Sequence, residues 1–184
     1  MYSENIEHTY FFEDQTITSK KTSINGRKLP RLFKLIEDKY GWEYDSINFD
    51  IGGGRYDNAT DYLGDFGVRN LIFDPYNRDE EHNNRVMSEI DQKSADTVTI
   101  SNVLCVVKES FIQNLILNIA YKSLKPGGIM YATVYEGNKS GIGAKTGKDQ
   151  WQEHRKTSDY IDQVNRVFGS CDVKSKMIIA IKEP

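Results

Sequence analysis

The chain of 184 residues is long enough for one α/β domain with a continuous core and too short for two comfortable ones. Its 24 basic and 27 acidic residues leave a formal net charge of -3, so no global field favours nucleic acid or an anionic membrane. No apolar run approaches the roughly 18 residues of a spanning helix, and the polar start MYSENIEHTY lacks the pattern of a secretory signal, so a cytoplasmic protein without membrane contact is expected.

The first 27 residues are polar, with an aromatic knot at Tyr10, Phe11 and Phe12 and a turn at Asn25-Gly26, and predict an extended arm carrying Lys20, Lys21 and Arg27. Leu29, Leu32, Phe33, Ile36 and Tyr40 then follow helical spacing, with Pro30 suited to a first turn and Gly41 to the position past the end. This arm and helix, residues 1–45, are expected to precede a core at 46–184 and to cap it. The short apolar run SINFDI predicts a buried strand feeding three glycines, and NATDYLGDFG a helix of two to three turns. VRNLIFD, from Val68 to Asp74, predicts a second strand, and DTVTISNVLCVV, from Asp96, a third that ends near Ser101-Asn102.

Ser110 opens a helix with the spacing of a capping box to Gln113, and Phe111, Ile112, Leu115, Ile116, Ile119 and Leu124 supply its apolar positions. KPGG ends it, Gly128 to Tyr135 predicts the next strand, Ser158 to Phe168 an amphipathic helix stopped by Gly169, and Val173 to Ile181 a closing strand pair. Cys105 and Cys171 are the only cysteines; Cys105 lies in an apolar run and is expected to be a small buried hydrophobe rather than a disulfide partner or metal ligand. Strands alternating with helices predict an α/β fold, a Rossmann-like doubly wound and mostly parallel sheet with a C-terminal antiparallel pair. Ligands bind such sheets outside the carboxyl ends of the strands, where strand order reverses.

The glycines of DIGGGR stand at one such end. A strand, a glycine turn and a helix let a phosphate or the polar tail of a nucleoside approach backbone N–H groups. No Gly-Lys-Ser/Thr follows, which excludes a P-loop, and the third glycine of a dinucleotide fingerprint is absent after Gly52 and Gly54. Asp50 would repel a phosphate but hold an amino group, directly or through water. Asp74, ending the second strand, can accept hydrogen bonds from both hydroxyls of a ribose. An amino acid at one end and a ribose at the other describe S-adenosylmethionine, and disfavour an NAD-dependent oxidoreductase.

The chain from Ile47 to Tyr135 resembles the class I S-adenosylmethionine-dependent methyltransferases. DIGGGR is similar to their first motif, FDP to the acidic ribose motif, TISNVLCVV to the strand-four motif, and LKPGGIMYATVY to the turn and strand that follow. More narrowly, KLPRLFKL, DIGGGRYDNATDYL and RKTSDYI resemble small phage-associated methyltransferase-like proteins. The resemblance implies that Asp50, Gly52, Gly53 and Gly54 line the methionine side of the cofactor, that Asp74 binds ribose, that Pro75 and Tyr76 pack near adenine, and that Asn102 lies beside the methyl-bearing sulfur. It also implies departures. Residues 75–95 carry no strand-like apolar run where the family fits a helix, a third strand and another helix, so that strand is expected to be missing or vestigial and the adenine pocket less enclosed. Tyr56 stands where the family often has glycine. S-N-V-L replaces the Asp/Asn-Pro-Pro-Tyr/Phe of DNA amino-methylating enzymes, and no Pro-Cys precedes a cytosine-type nucleophile at Cys105.

Residues 137–156, GNKSGIGAKTGKDQWQEHRK, are rich in glycine and basic side chains and would sit at the rim of the site. They read equally as a solvated loop over a packed Trp151, or as a lid and clamp for an anionic or nucleotide-containing acceptor through Lys139, Lys145, Lys148, Arg155 and Lys156, with Trp151 stacking on its ring. His154, Tyr135 and Glu136 are the candidate general bases. The rival expectation is a protein of the same fold that binds the cofactor without transferring its methyl group, sequestering, cleaving or sensing it instead.

Overall fold

The computed structural model describes residues 28–148 and 150–184, so the expected extended arm with its aromatic knot, Lys20, Lys21 and Arg27 lies outside the described residues. Among the described residues the chain forms helix α1 (Arg31–Tyr40), β1 (Ile47–Ile51), α2 (Asn58–Gly64), β2 (Arg69–Phe73), α3 (Glu80–Lys93), β3 (Ala95–Ser101), α4 (Ser110–Ser123), β4 (Leu124–Thr133), β5 (Ala144–Gly147), β6 (Gln150–Gln152), α5 (Ile161–Phe168), β7 (Asp172–Lys174) and β8 (Met177–Ile181).

Six strands make one sheet in the order β2-β1-β3-β4-β8-β7, with β1 to β4 parallel and β8 antiparallel to both β4 and β7. β5 and β6 form a separate antiparallel hairpin. Between β2 and β3 the chain makes only α3, so the strand expected to be missing there is missing, and β2 is an edge among the described residues. Residues 75–95 fold this way because Val86 and Ile90 are four apart and both buried, a helical stripe where a strand would need alternation. Asp79 caps α3, its side chain accepting from the His82 N–H at 2.8 Å.

The pleat assigns the sheet two unlike faces. Phe49 and Ile51 of β1, Leu71 and Phe73 of β2 and Val98 and Ile100 of β3 join the larger core, which α3, α4 and α5 cover through Val86, Ile116 and Val164. On the other face α1 packs Leu32 and Ile36 against Tyr131 and Met177, and Phe33 against Ala59, Leu63 and Val68. That second face also carries a buried polar ladder. Asn48 donates to Asn70 at 2.8 Å and to Thr99 at 3.0 Å, Thr97 donates to Asn48 at 2.8 Å, and Thr99 donates to Asp50 at 2.8 Å. Each polar group so buried has a partner, which removes most of the cost of burying it.

Two local expectations change. The capping box from Ser110 does not form: Gln113 turns its side-chain amide to the carbonyls of Leu104 and Val107, at 3.0 and 2.8 Å, and so ties the β3–α4 loop to the helix. The Lys125-Pro126-Gly127-Gly128 turn lies within β4, whose pairing with β3 shifts register there.

Candidate active site

β1 to β4 all deliver their carboxyl ends to one rim, and strand order reverses between β1 and β3. A cavity of about 460 Å³ opens there, within the size range of small-molecule sites. It is lined by all eight residues that the resemblance assigned to the cofactor: Asp50, Gly52, Gly53, Gly54, Asp74, Pro75, Tyr76 and Asn102.

The three glycines have separate geometric reasons. Gly52 and Gly54 take φ of +73° and +78°, the left-handed region that a side chain resists. At Gly53 a Cβ would lie 2.3 Å from Asp50 Oδ2 and 2.9 Å from Ile72 Cγ2. The turn is held from both sides: the Gly52 N–H donates to the Phe73 carbonyl at 2.7 Å and the Gly54 N–H to Asp74 Oδ2 at 2.9 Å. Arg78, which the sequence reading missed, donates to the carbonyls of Gly54 (2.8 Å) and Tyr56 (3.0 Å) and pairs with Asp57 at 2.8 Å. Its signal in the sequence was faint, a lone arginine in a polar stretch.

The two acids differ in their freedom. Asp50 is 1% exposed at the cavity floor. Burial, and secondarily the Asp74 carboxylate, push its carboxyl up to about 7 against the lowering influence of the Thr99 hydroxyl and Arg78. Asp74 is committed to its own loop: it accepts from the N–H groups of Gly54, Tyr76 and Asn77 and from the Asn77 amide, which reaches both oxygens at 3.2 Å. Asn83 in turn closes around the Asp74 backbone, accepting from its N–H at 3.0 Å and donating to its carbonyl at 3.1 Å. Among the described residues, the Asn77 amide is the side chain that bonds this carboxylate. Burial pushes the Tyr76 phenol up to about 12, so it stays protonated.

The candidate catalytic and acceptor residues separate into two groups. Tyr135 and Trp151 line the cavity. Glu136 does not: it accepts from the Thr157 N–H (2.9 Å) and hydroxyl (3.0 Å) and pairs with Lys139 (3.4 Å) and Lys176 (3.2 Å). These bonds, the Thr157 N–H first, hold its carboxyl down at about 2, far too acidic for a base at neutral pH. His154 is also outside the lining; its Nδ1 accepts from the Asn138 N–H at 3.1 Å and its carbonyl from the Gly141 N–H at 3.0 Å, so it ties the loop together.

The expected basic clamp is not assembled around the cavity. The Arg155 guanidinium lies 3.9 Å over the Tyr160 ring and bonds the Asp159 carbonyl, and the Lys156 N–H donates to Asp159. Lys145 pairs with Trp151 across the β5–β6 hairpin, Lys148 and Lys139 stand outside the lining, and Lys139 is held by Glu136. In place of a bare loop, residues 144–152 form that hairpin, fastened to the rim by Gln152 donating to the Tyr135 carbonyl (2.7 Å) and the Glu153 N–H donating to the Cys105 carbonyl (2.8 Å). Cys105 itself is 1% exposed; burial pushes its thiol up, and it bonds the Asn102 carbonyl, as a small packed residue does. Among the described residues no group of three or more acidic, histidine or cysteine side chains is placed to hold a metal ion, and no helix is long and apolar enough to cross a membrane.

This sheet, with its glycine turn at the switch point, is the Rossmann-like fold of the S-adenosylmethionine-dependent methyltransferases. Among solved structures it is similar to a Burkholderia thailandensis 1,6-didemethyltoxoflavin N1-methyltransferase, bound to 1,6-didemethyltoxoflavin and S-adenosylhomocysteine, with a TM-score of 0.64 at 12% identity over 98% of this chain and 87% of that one. It is also similar to a T. thermophilus 16S rRNA N2 G1207 methyltransferase in complex with AdoMet and guanosine (TM-score 0.56, 14% identity, 88% of this chain, 45% of that one) and to human N-acetylserotonin methyltransferase in complex with SAM (0.55, 16%, 100% and 63%). The chain thus spans less than two thirds of the length of the latter two. At these identities the likeness establishes the fold. No protein-family model matches the sequence, and no curated protein matches it.

Proposed function

We propose that the protein binds S-adenosylmethionine in this cavity and transfers its methyl group to a small acceptor. One observation carries the reading: a buried acid, Asp50, and a three-glycine turn face one cavity with a second acid, Asp74, at the switch point. The residues fit that cofactor. Asp50 offers a buried carboxylate to an ammonium group, Gly53 lets the turn close on that carboxylate where a Cβ would displace it, and Asp74 stands where ribose hydroxyls would arrive. The three neighbours named above are methyltransferases by name, solved with S-adenosylhomocysteine or S-adenosylmethionine, which supports the same ligand here.

When bound, the cofactor supplies an electrophilic methyl group on a sulfonium. The chain's part is to fix and dry the reacting pair, since a displacement in line with the sulfur depends on orientation more than on acid-base chemistry. Asn102, whose backbone is held at φ +58° with its N–H on the Thr133 carbonyl at 2.9 Å, and Val103, which fills the space above Gly52, border the place where the methyl group would lie. Tyr135 and the β5–β6 hairpin also line the cavity. The test is calorimetric titration with S-adenosylmethionine, S-adenosylhomocysteine and NADH. Micromolar binding of the first two, at least tenfold weaker in Gly53→Ala, supports the reading; preference for NADH, or no binding of either, refutes it.

The engagement of Glu136 and His154 away from the cavity favours a second reading, a cofactor-binding protein without methyl transfer. Tight binding with no methylated product from any candidate acceptor distinguishes it.

A further inference from the structure

The cavity's charges are unevenly placed. Lys28, Asp50, Arg55 and Asp74 carry every acid and every lysine or arginine in its lining, and all lie in the first half of the chain. From Ser101 to Gln152 the lining holds neutral side chains only, among them Val106, Gln150 and the rings of Tyr135 and Trp151. Trp151 is set in place by its indole N–H, which donates to Glu153 at 2.7 Å, and by Lys108, whose Nζ lies 5.3 Å from the ring centroid.

We propose that the acceptor is an uncharged, flat heteroaromatic compound that packs against Trp151 and Tyr135 and is methylated on a ring nitrogen that carries no proton. This inference rests on the methyltransferase reading above. Bringing a phosphate or carboxylate against a neutral lining strips its water without supplying a partner, whereas a neutral ring gains stacking on the aromatic faces. The atom follows from the missing base. Glu136 is locked by Thr157 and two lysines, the His154 Nδ1 is taken by the Asn138 N–H, and the Cys105 thiol keeps its proton. Among the described residues, an acceptor that must lose a proton to become nucleophilic finds no acid or histidine in the lining from Ser101 to Gln152 to take it, and the two acids elsewhere in the lining, Asp50 and Asp74, are those assigned above to the cofactor. A pyridine-type nitrogen needs none: its lone pair forms the nitrogen–methyl bond as the sulfur–methyl bond breaks, the sulfur keeps that electron pair, and the positive charge passes from sulfonium to ring.

The test uses the full chain saturated with S-adenosylhomocysteine and titrated calorimetrically with quinoline, quinoline-4-carboxylate and adenosine monophosphate. Expected is saturable quinoline binding at least tenfold tighter than either anion, lost in Trp151→Ala and kept in Trp151→Phe, with both variants still binding S-adenosylhomocysteine. With S-adenosylmethionine instead, mass spectrometry is expected to find N-methylquinolinium. Tighter binding of either anion, no quinoline binding, or an unchanged quinoline affinity in Trp151→Ala overturns the inference while leaving the cofactor reading standing. Failure of the wild-type protein to bind S-adenosylhomocysteine removes both.

Discussion

On the proposed reading Asp50 sets stability against cofactor binding, and replacing it by asparagine separates the two. In the folded protein its carboxyl titrates at about 7, chiefly because it is buried. An unfolded aspartate titrates near about 3.9. Between those values the folded state holds a proton that the unfolded state has lost, so stability is highest below about pH 4, falls as the pH rises through 7, and is flat above. The full span corresponds to about 4 kcal/mol, an upper bound that water penetration reduces. Asparagine keeps an oxygen for the Thr99 hydroxyl, which bonds Asp50 at 2.8 Å, and removes the charge. Its new N–H₂ is an added donor that costs about 1–3 kcal/mol if unpaired. The net gain in Asp50→Asn is then about 2 kcal/mol at pH 8, or roughly 4–8 °C in Tm for a chain of this size. Thermal melts from pH 4 to pH 9 read it: the variant is the less stable by about 2 kcal/mol at pH 4, overtakes the wild type as the pH rises, and levels off above about 7.

Cofactor binding moves the other way. An ammonium group favours the ionised carboxylate, so S-adenosylhomocysteine affinity in the wild type rises about tenfold from pH 6 to pH 8, with proton release at pH 7 visible as a buffer-dependent heat. Asp50→Asn binds more weakly and loses that pH dependence. A variant both less stable at pH 8 and equally good at binding refutes the reasoning on both counts.

Asp74→Ala strips acceptors from three backbone N–H groups, at Gly54, Tyr76 and Asn77. At about 1 kcal/mol each this predicts a Tm drop of roughly 6–12 °C beside the loss of cofactor binding, whereas an unchanged melt would make Asp74 a ligand residue alone. Arg78→Ala frees the Gly54 and Tyr56 carbonyls and removes a cation that lowers the Asp50 carboxyl, so S-adenosylhomocysteine titrations should show weaker binding with its pH midpoint moved upward. Glu136→Ala removes the acceptor that pins the segment after β4 to the turn at 157–160, so the melt falls but the pH profile of any methyl transfer stays in place. The charge on Glu136 stabilises the fold above the ordinary carboxylate range, and that contribution is lost as the pH falls toward about 2.

What was legible in the sequence had a local cause. Three glycines after an apolar run are too costly for regular structure, and they mark the turn at the switch point. Residues 75–95 lack an alternating apolar run, and the sheet lacks the strand they would have supplied. The rest was set by partners far along the chain. Glu136 and His154 stand beside the site in sequence, yet Thr157 and Asn138 turn them from it. Nothing in Asn48 or Thr99 alone reveals the ladder across three strands that fixes Asp50. The hairpin at 144–152 was masked by its glycines and charges, which suit a loop; its fastening depends on Gln152 and Glu153 meeting carbonyls at Tyr135 and Cys105.

The missing strand and the saturated Asp74 are two sides of one arrangement. Among the described residues no strand lies beyond β2, so the loop at 74–79 has no sheet neighbour there, and such an edge invites unwanted pairing. α3 covers part of that edge, with the His82 Nε2–H donating to the Ile72 carbonyl at 2.8 Å and Arg69 paired to Glu89. The loop is left to support itself, and it does so through the carboxylate of Asp74 and the amide of Asn83. An acid that elsewhere in such a site would wait free for a ribose is here a structural acceptor first. On the proposed reading, ligand hydroxyls exchange with the Asn77 amide, which reaches the carboxylate at 3.2 Å, while the backbone bonds stay. On the proposed reading, the trimmed sheet sets the cofactor's ribose hydroxyls in competition with the Asn77 amide, on a loop whose geometry the same carboxylate maintains.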